Sequence, residues 1–217
     1  MRTLVKFCGL TRVEDILSAA AAGADYLGFV LVPGSLRCLD QAQLPALLAA
    51  VPAGLPTVFV TADLPLPELQ RLIAAFRPAV VQLHGQESPD YARAIRGAAV
   101  WKAVPLTRPQ QIEQFAGFPA EYLVADAARG GSGRCCDWEL AAQLADRRKI
   151  FLAGGLGPGN AAAALRCCPA AGIDACSGIE RSPGQKDPEK MRLFMRAVRS
   201  DDILSSEVQK VQSGEQL

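Results

Sequence analysis

Histidine is nearly absent from this 217-residue chain, with His84 its single instance, and no Cys-x-x-Cys pair occurs. Those two absences exclude the common zinc spacings. An excess of one charge is missing too. Lys plus Arg is 23 against 22 for Asp plus Glu, a net charge of +1, which argues against a nucleic-acid or anionic-membrane footprint. Aromatics make up only 6% of the chain, too few for a base-stacking platform. No apolar run reaches the roughly 18 residues of a membrane span. The N-terminus runs directly into Leu4, Val5 and Phe7 without an apolar region and small-residue cleavage site, so no export signal is expected. Cysteine, by contrast, is not scarce. The seven include two adjacent pairs, Cys135–Cys136 and Cys167–Cys168. An odd count in a chain of this length argues against a disulfide framework. The expectation is a reduced, cytoplasmic protein whose thiols serve mainly as small hydrophobes.

What is present is alternation. Half of the residues are apolar and 21% are charged, enough to bury a sizeable core. Runs rich in Val, Leu, Ile and Phe fall at Leu4–Cys8, Asp25–Val32, Thr57–Thr61, Ala79–Leu83, Val100–Val104, Tyr122–Asp126, Lys149–Ala153 and Gly172–Ser177. Near-continuous apolar character is how a strand covered on both faces reads. Helix-period segments separate them: Val13–Ala22, Gln41–Val51, Leu66–Phe76, Pro89–Ile95, Pro109–Phe115, Trp138–Ala145, Asn160–Cys167 and, last, about Pro188–Arg199. Thr11 stands three residues before Glu14, a capping-box spacing, and Ser88-Pro89 and Asp187-Pro188 each read as an N-cap followed by Pro. About 25 residues per unit suffices for a single-domain α/β fold, the (β/α)8 TIM barrel, over residues 1–200. An open doubly wound sheet is the alternative. The polar segment 201–217 is expected to be a disordered tail.

A barrel of this kind carries its site at the C-terminal ends of its strands, and that rule selects residues by itself. Strand one ends in Lys6-Phe7-Cys8-Gly9, with Leu4, Lys6 and Cys8 on one face. A lysine facing the barrel interior requires a carboxylate partner. Position alone leaves Cys8 open as a structural or a reactive thiol. Asp126 closes the apolar sixth strand, where a carboxylate points to function. Asp174 in strand eight is either a ligand contact or the partner of Lys6. Glycine-rich loops follow the last three strands: Gly130-Gly131-Ser132-Gly133, Gly154-Gly155-Leu156-Gly157 and Ser177-Gly178. Such loops bring several backbone N–H groups close to a ligand, and barrels frequently bind phosphate there. No glycine cluster follows strands three or four, so one phosphate site is expected. Arg37, after strand two, can pair bidentately with a carboxylate or be a solvated loop charge. His84, closing strand four, is either an acid–base group or a structural histidine.

The same positions carry a family pattern. The chain resembles the phosphoribosylanthranilate isomerases of tryptophan biosynthesis from Lys6 to about Arg199. The motifs are Lys6-Phe7-Cys8-Gly9-Leu10-Thr11, Gln82-Leu83-His84-Gly85, Gly130-Gly131-Ser132-Gly133 with Asp137-Trp138, and Ala153-Gly154-Gly155-Leu156 with Asn160. Asp174, Ser177-Gly178-Ile179-Glu180 and Pro183-Gly184-Gln185-Lys186-Asp187 complete it. The chain departs from the pattern at Leu36, where proline is usual, at Arg134, at Cys135-Cys136, and at Cys176, where serine is usual.

The resemblance implies an Amadori rearrangement of N-(5-phosphoribosyl)anthranilate by general acid–base catalysis. Cys8 matches the family's base and Asp126 its acid. Arg37 matches the arginine near the anthranilate carboxylate, with His84 and Asp174 as further substrate contacts. Gly131, Ser132, Gly133, Gly154, Gly155, Ser177 and Gly178 match the phosphate cradle. The substrate's own nitrogen is the electron sink, so neither cofactor nor metal is implied. Partners are a phosphorylated small molecule, with no nucleic acid and no membrane, and a monomer is preferred to a homodimer. Two other readings compete. The histidine-pathway isomerase does the same chemistry, but that family has two phosphate sites and an aspartate ending strand one. A non-catalytic phosphate-binding barrel would need neither Cys8 nor Asp126.

Overall fold

The computed structural model describes residues 2–126 and 136–213, with side chains described as far as Ser200. Eight parallel strands close into a barrel in sequence order: β1 (Leu4–Phe7), β2 (Tyr26–Val30), β3 (Thr57–Thr61), β4 (Val80–Leu83), β5 (Ala99–Pro105), β6 (Tyr122–Asp126), β7 (Ile150–Leu152) and β8 (Gly172–Ala175). The helices following them are α1 (Val13–Ala22), α2 (Leu44–Ala49), α3 (Leu66–Phe76), α4 (Pro89–Ala94), α5 (Gln110–Ala116), α6 (Trp138–Ala145), α7 (Ala161–Cys167) and α8 (Pro188–Ser213). The chain thus adopts the expected (β/α)8 barrel. A short antiparallel hairpin, β9 (Glu180–Ser182) with β10 (Gln185–Lys186), lies between β8 and α8 and was not anticipated.

Period-two alternation sorts the strand residues into two cores. One face of the strands packs with the helices: Leu69, Leu72 and Ile73 of α3, at helical i, i+3, i+4 spacing, join Phe59 and Val81 there. The other face fills the barrel. Val58, Val80, Trp101, Val124 and Phe151 form its interior with Tyr26 and Tyr122 packed against them. Trp101 lies 4.4 Å from Phe151, 4.9 Å from Tyr26 and 5.2 Å from Tyr122 between ring centroids. Four of the thirteen aromatics therefore plug the barrel, leaving its upper end for polar groups.

Several boundaries differ from the sequence reading for local reasons. Strands one, two, seven and eight end before Cys8, Val32, Ala153 and Ser177, although Cys8 and Ala153 each still donate one backbone bond to the neighbouring strand. The segment 41–51 splits into a 3₁₀ turn, Gln41–Gln43, and α2. Asp40 caps the turn, and Pro45, which has no N–H to donate, sits in the first turn of α2. Ser88 caps α4 by accepting from Tyr91 N at 3.1 Å, and Asp187 accepts from Glu189 N at 2.9 Å at the start of α8. The Thr11 capping box does not form. The α1 N-cap is Arg12, which makes no side-chain cap bond, while Thr11 Oγ1 donates to Gly184 O at 2.5 Å and ties the start of the chain to the hairpin. Helix α8 does not stop near Arg199 but continues to Ser213, correcting the expectation of a disordered tail across that stretch. Nothing between Ser200 and Ser213 is Pro or Gly, so no stop signal interrupts it. Residues 214–217 lie outside the described residues.

The interior lysine has its partner. Lys6, fully buried, donates from Nζ to Asp174 Oδ2 at 2.7 Å, across paired positions of β1 and β8. Burial by itself would lower the ammonium's pKa. The Asp174 charge overrides it and holds Lys6 protonated. Lys6→Met strands a buried carboxylate and is expected to lower stability by about 3–5 kcal/mol, whereas Lys6→Met with Asp174→Leu should regain most of that loss. Urea unfolding of the three proteins checks this; a double variant no more stable than the single one would contradict the pairing.

Candidate active site

Above Lys6 the barrel opens into a cavity of about 460 Å³, within the range of small-molecule sites. Its wall includes Cys8, Arg37, His84, Asp126, Gly154, Gly155, Asp174 and Ser177, which the sequence singles out, together with Gln82 and Cys176, which it does not. Inward-facing residues at or near the C-terminal ends of β1, β4, β6 and β8 line it, so one alternation rule converges their side chains on one space.

Asp174 resolves in favour of Lys6, yet it also reaches the cavity. Its second oxygen, Oδ1, has no hydrogen-bond partner among the described residues, and Gln82 Oε1 and His84 Nδ1 share that condition. Buried polar atoms are ordinarily satisfied, so three such atoms around one cavity mark where a polar ligand would complete them. Asp126 ends β6, and His84 Nε2 lies 3.6 Å from its Oδ2, beyond a direct hydrogen bond. Burial pushes the imidazole pKa down, against the pull of the Asp126 charge, so His84 faces the aspartate as a neutral ring.

The turn bearing His84 is fixed from behind by an ion pair that sequence reasoning missed. Buried Lys102 contacts Glu87 Oε2 at 3.0 Å and Gly85 O at 2.5 Å, while the Glu87 carboxylate accepts from Asp63 N at 2.9 Å and Gly85 N at 3.0 Å. Lys102 lies on the helix-facing side of β5, where a lysine in an apolar run is itself the legible signal.

Arg37 makes the bidentate pair its position allowed, but with a carboxylate of the protein. Nε and Nη2 donate to Glu180 Oε1 at 2.9 Å and Oε2 at 2.6 Å. Glu180 also accepts from Lys186 Nζ at 2.8 Å and Gly184 N at 3.2 Å. Burial would raise the Glu180 pKa, but the Arg37 and Lys186 bonds hold it below the ordinary carboxylate value. The loop after β2 is thereby clasped to the hairpin after β8.

Of the glycine-rich loops, the one after β7 is held in a conformation only glycine adopts readily, with φ of +83° at Gly154 and +59° at Gly155. Asn160 braces it, accepting from Gly157 N at 2.8 Å and donating to Gly155 O at 3.1 Å. Ser177 opens a 3₁₀ turn on the cavity wall. Gly178 packs closely against the neighbouring loop instead, since a Cβ there would fall 2.1 Å from Leu156 O. Gly131, Ser132 and Gly133 lie outside the described residues.

Cys8 is buried at the rim, in one packed cluster with Cys176, which belongs to the neighbouring strand end. Cys176 and then burial hold the Cys8 thiol well above its ordinary pKa, with Lys6 opposing. Cys176 was legible by the reasoning that found Cys8: it follows Asp174 by two residues, as Cys8 follows Lys6. The six cysteines among the described residues are free thiols. Among those residues no cluster of side chains could hold a metal ion, and no helix is long and apolar enough to cross a membrane.

Known proteins place this architecture in context. Residues 5–197 match the family model of N-(5'-phosphoribosyl)anthranilate (PRA) isomerase. The N-(5'-phosphoribosyl)anthranilate isomerase of Azorhizobium caulinodans is 39% identical, covering 96% of this chain and 98% of its own length. The crystal structure of phosphoribosyl anthranilate isomerase from Thermus thermophilus superposes with a TM-score of 0.85 at 40% identity, over 92% of this chain and 99% of that one. A second crystal structure, at 28% identity and a TM-score of 0.83 over 91% and 99% of the two chains, is a phosphoribosyl anthranilate isomerase in complex with reduced 1-(o-carboxyphenylamino)-1-deoxyribulose 5-phosphate. A family match across nearly the whole barrel, with a relative of this identity, shows that the chain belongs to the N-(5'-phosphoribosyl)anthranilate isomerase family.

Proposed function

We propose that Cys8 and Asp126 act as base and acid in the isomerisation of N-(5'-phosphoribosyl)anthranilate, the step of tryptophan biosynthesis this family performs. The observation that carries the assignment is that both reach one cavity from separate strands, beside loops suited to a phosphate. Opening the ribose ring requires a proton on the ring oxygen, which Asp126 donates. The resulting Schiff base acidifies the proton on C2′. Cys8, as thiolate, removes it, and the C–H electron pair moves toward nitrogen to give an enolamine that tautomerises to the ketone. Lys6 beneath Cys8 favours the thiolate, against the neighbouring Cys176 and the burial that raise the thiol's pKa. The phosphate sits against Gly154, Gly155 and Ser177. Arg37 keeps its guanidinium on Glu180 and meets the anthranilate carboxylate with its remaining donors. The reaction belongs in the cytoplasm, where seven thiols stay reduced.

Replacing Cys8 by Ala or Asp126 by Asn should each lower kcat by roughly 10²–10⁴-fold, read from the fluorescence of freshly generated substrate. Near-normal turnover in either variant removes that residue from the chemistry. Arg37→Ala should raise KM more than it lowers kcat; unchanged values of both would separate Arg37 from the substrate. Large exposed hydrophobics among the described residues are confined to Val13, Leu17, Leu36 and Leu193, which supports a monomer. Light scattering after size exclusion should then give 23.0 kDa, and twice that mass would establish a dimer.

A further inference from the structure

We propose that Cys176 is a positioning residue for Cys8: the two sulfurs hold one proton between them, and Cys176 sets the pH at which Cys8 can act as base. The proposal rests on Cys8 being the base, and it begins from the closing seam of the barrel. Residues Lys6 and Asp174 pair across β1 and β8, Phe7 and Ala175 form the next rung, and Cys8 N donates to Ala175 O at 2.9 Å. One step further, Cys8 and Cys176 are neighbours at the rim, both lining the cavity and packed in one cluster with Val30, Val32 and Val60.

Their surroundings are not equivalent. Cys8 has Lys6 from its own strand and Asp174 from β8. Around Cys176 two cations converge. Lys186 Nζ, buried on the hairpin, lies 3.7 Å from Cys176 Sγ and donates to Cys176 O at 3.1 Å. Arg37 comes in from the loop after β2, such that a Cβ on Gly9 would meet Arg37 Cδ at 2.7 Å and Cys176 Sγ at 2.9 Å. Glu180, shared by both cations, opposes them, and His84 and Asp126 face the pair across the cavity. The neighbouring Cys8, followed by Lys186 and Arg37 working against burial, brings Cys176 down to about 7, while Cys8 is pushed up. Where the pair ionises, the negative charge therefore falls on Cys176 and the proton stays on Cys8.

This charge is also the means of arming Cys8. The Cys8 thiol passes its proton to the Cys176 thiolate, and the Cys8 thiolate so formed takes the C2′ proton of the Schiff base. The pair then carries two protons. One returns through solvent to Asp126, whose own proton went to the ring oxygen, so the cycle closes with no proton gained or lost. A coupled pair titrates as a unit, and removing either member displaces the ionisation of the other.

Two readouts separate this proposal from the assignment of the base. Thiolate absorbance near 240 nm, taken as a difference from the Cys8→Ala/Cys176→Ala double variant, should show one ionisation near neutrality in the wild type. In either single Ala variant it should move upward by about one pH unit or more. This readout requires no turnover. The acid limb of kcat/KM should move upward likewise in Cys176→Ala, with turnover largely recovered on its alkaline side. Cys176→Ser, which keeps a hydrogen-bonding group but no charge, should fall between. An acid limb or a thiol titration superimposable on wild type in Cys176→Ala overturns the proposal. Full activity of Cys8→Ala with the displaced titration intact would instead overturn Cys8 as base.

Discussion

The Lys6–Asp174 ion pair is the constraint on which the site is built. A lysine in the interior of a barrel otherwise filled by Trp101, Phe151 and their neighbours is tolerable only with a carboxylate at bonding distance. That requirement fixes β1 beside β8 in one register, because a slip of one residue would turn Lys6 toward the helices and leave both charges alone. With the register fixed, the residues two positions along, Cys8 and Cys176, arrive together at the rim. The ion pair thus closes the barrel and orders the thiols above it, while its free carboxylate oxygen remains on the cavity wall.

A second layer of charge acts outside the barrel. Glu180 gathers Arg37, Lys186 and the Gly184 amide, and Thr11 adds a bond from the first loop. Three chain segments meet there. On the opposite side, Lys102 and Glu87 hold the His84 turn. The loop after β2 and the His84 turn are accordingly positioned by buried ion pairs, whereas apolar packing is concentrated lower in the barrel and beneath the helices.

Most of the architecture was legible in the sequence because its two signals, apolar runs for strands and caps for helices, are local. The strand-end rule then found Cys8, Asp126, His84 and Asp174 without reference to any relative, and the cost of burying Lys6 correctly demanded a carboxylate. What escaped were choices of partner. Nothing local says that Arg37 engages Glu180, 143 positions away, or that Thr11 leaves its capping position for Gly184. The Cys8–Cys176 neighbourhood was hidden for the same reason, although each member's inward direction followed from its own strand. The α8 extension escaped because polar composition was weighed above the absence of a helix breaker.

The Lys6–Asp174 pair has a consequence for how the molecule comes into being. Its members are 168 positions apart, and contacts of such long sequence separation are the slow ones to form. A chain emerging from the ribosome carries Lys6 among its first residues and can pair β1 with β2 early. It has no counter-charge for that lysine until β8 is made. An N-terminal fragment cannot seal its interior around an unmatched ammonium, so the first strand waits, loosely held, for the last. Assembly of the barrel and completion of its chemistry are then one late event, and partial chains neither close nor carry a formed site.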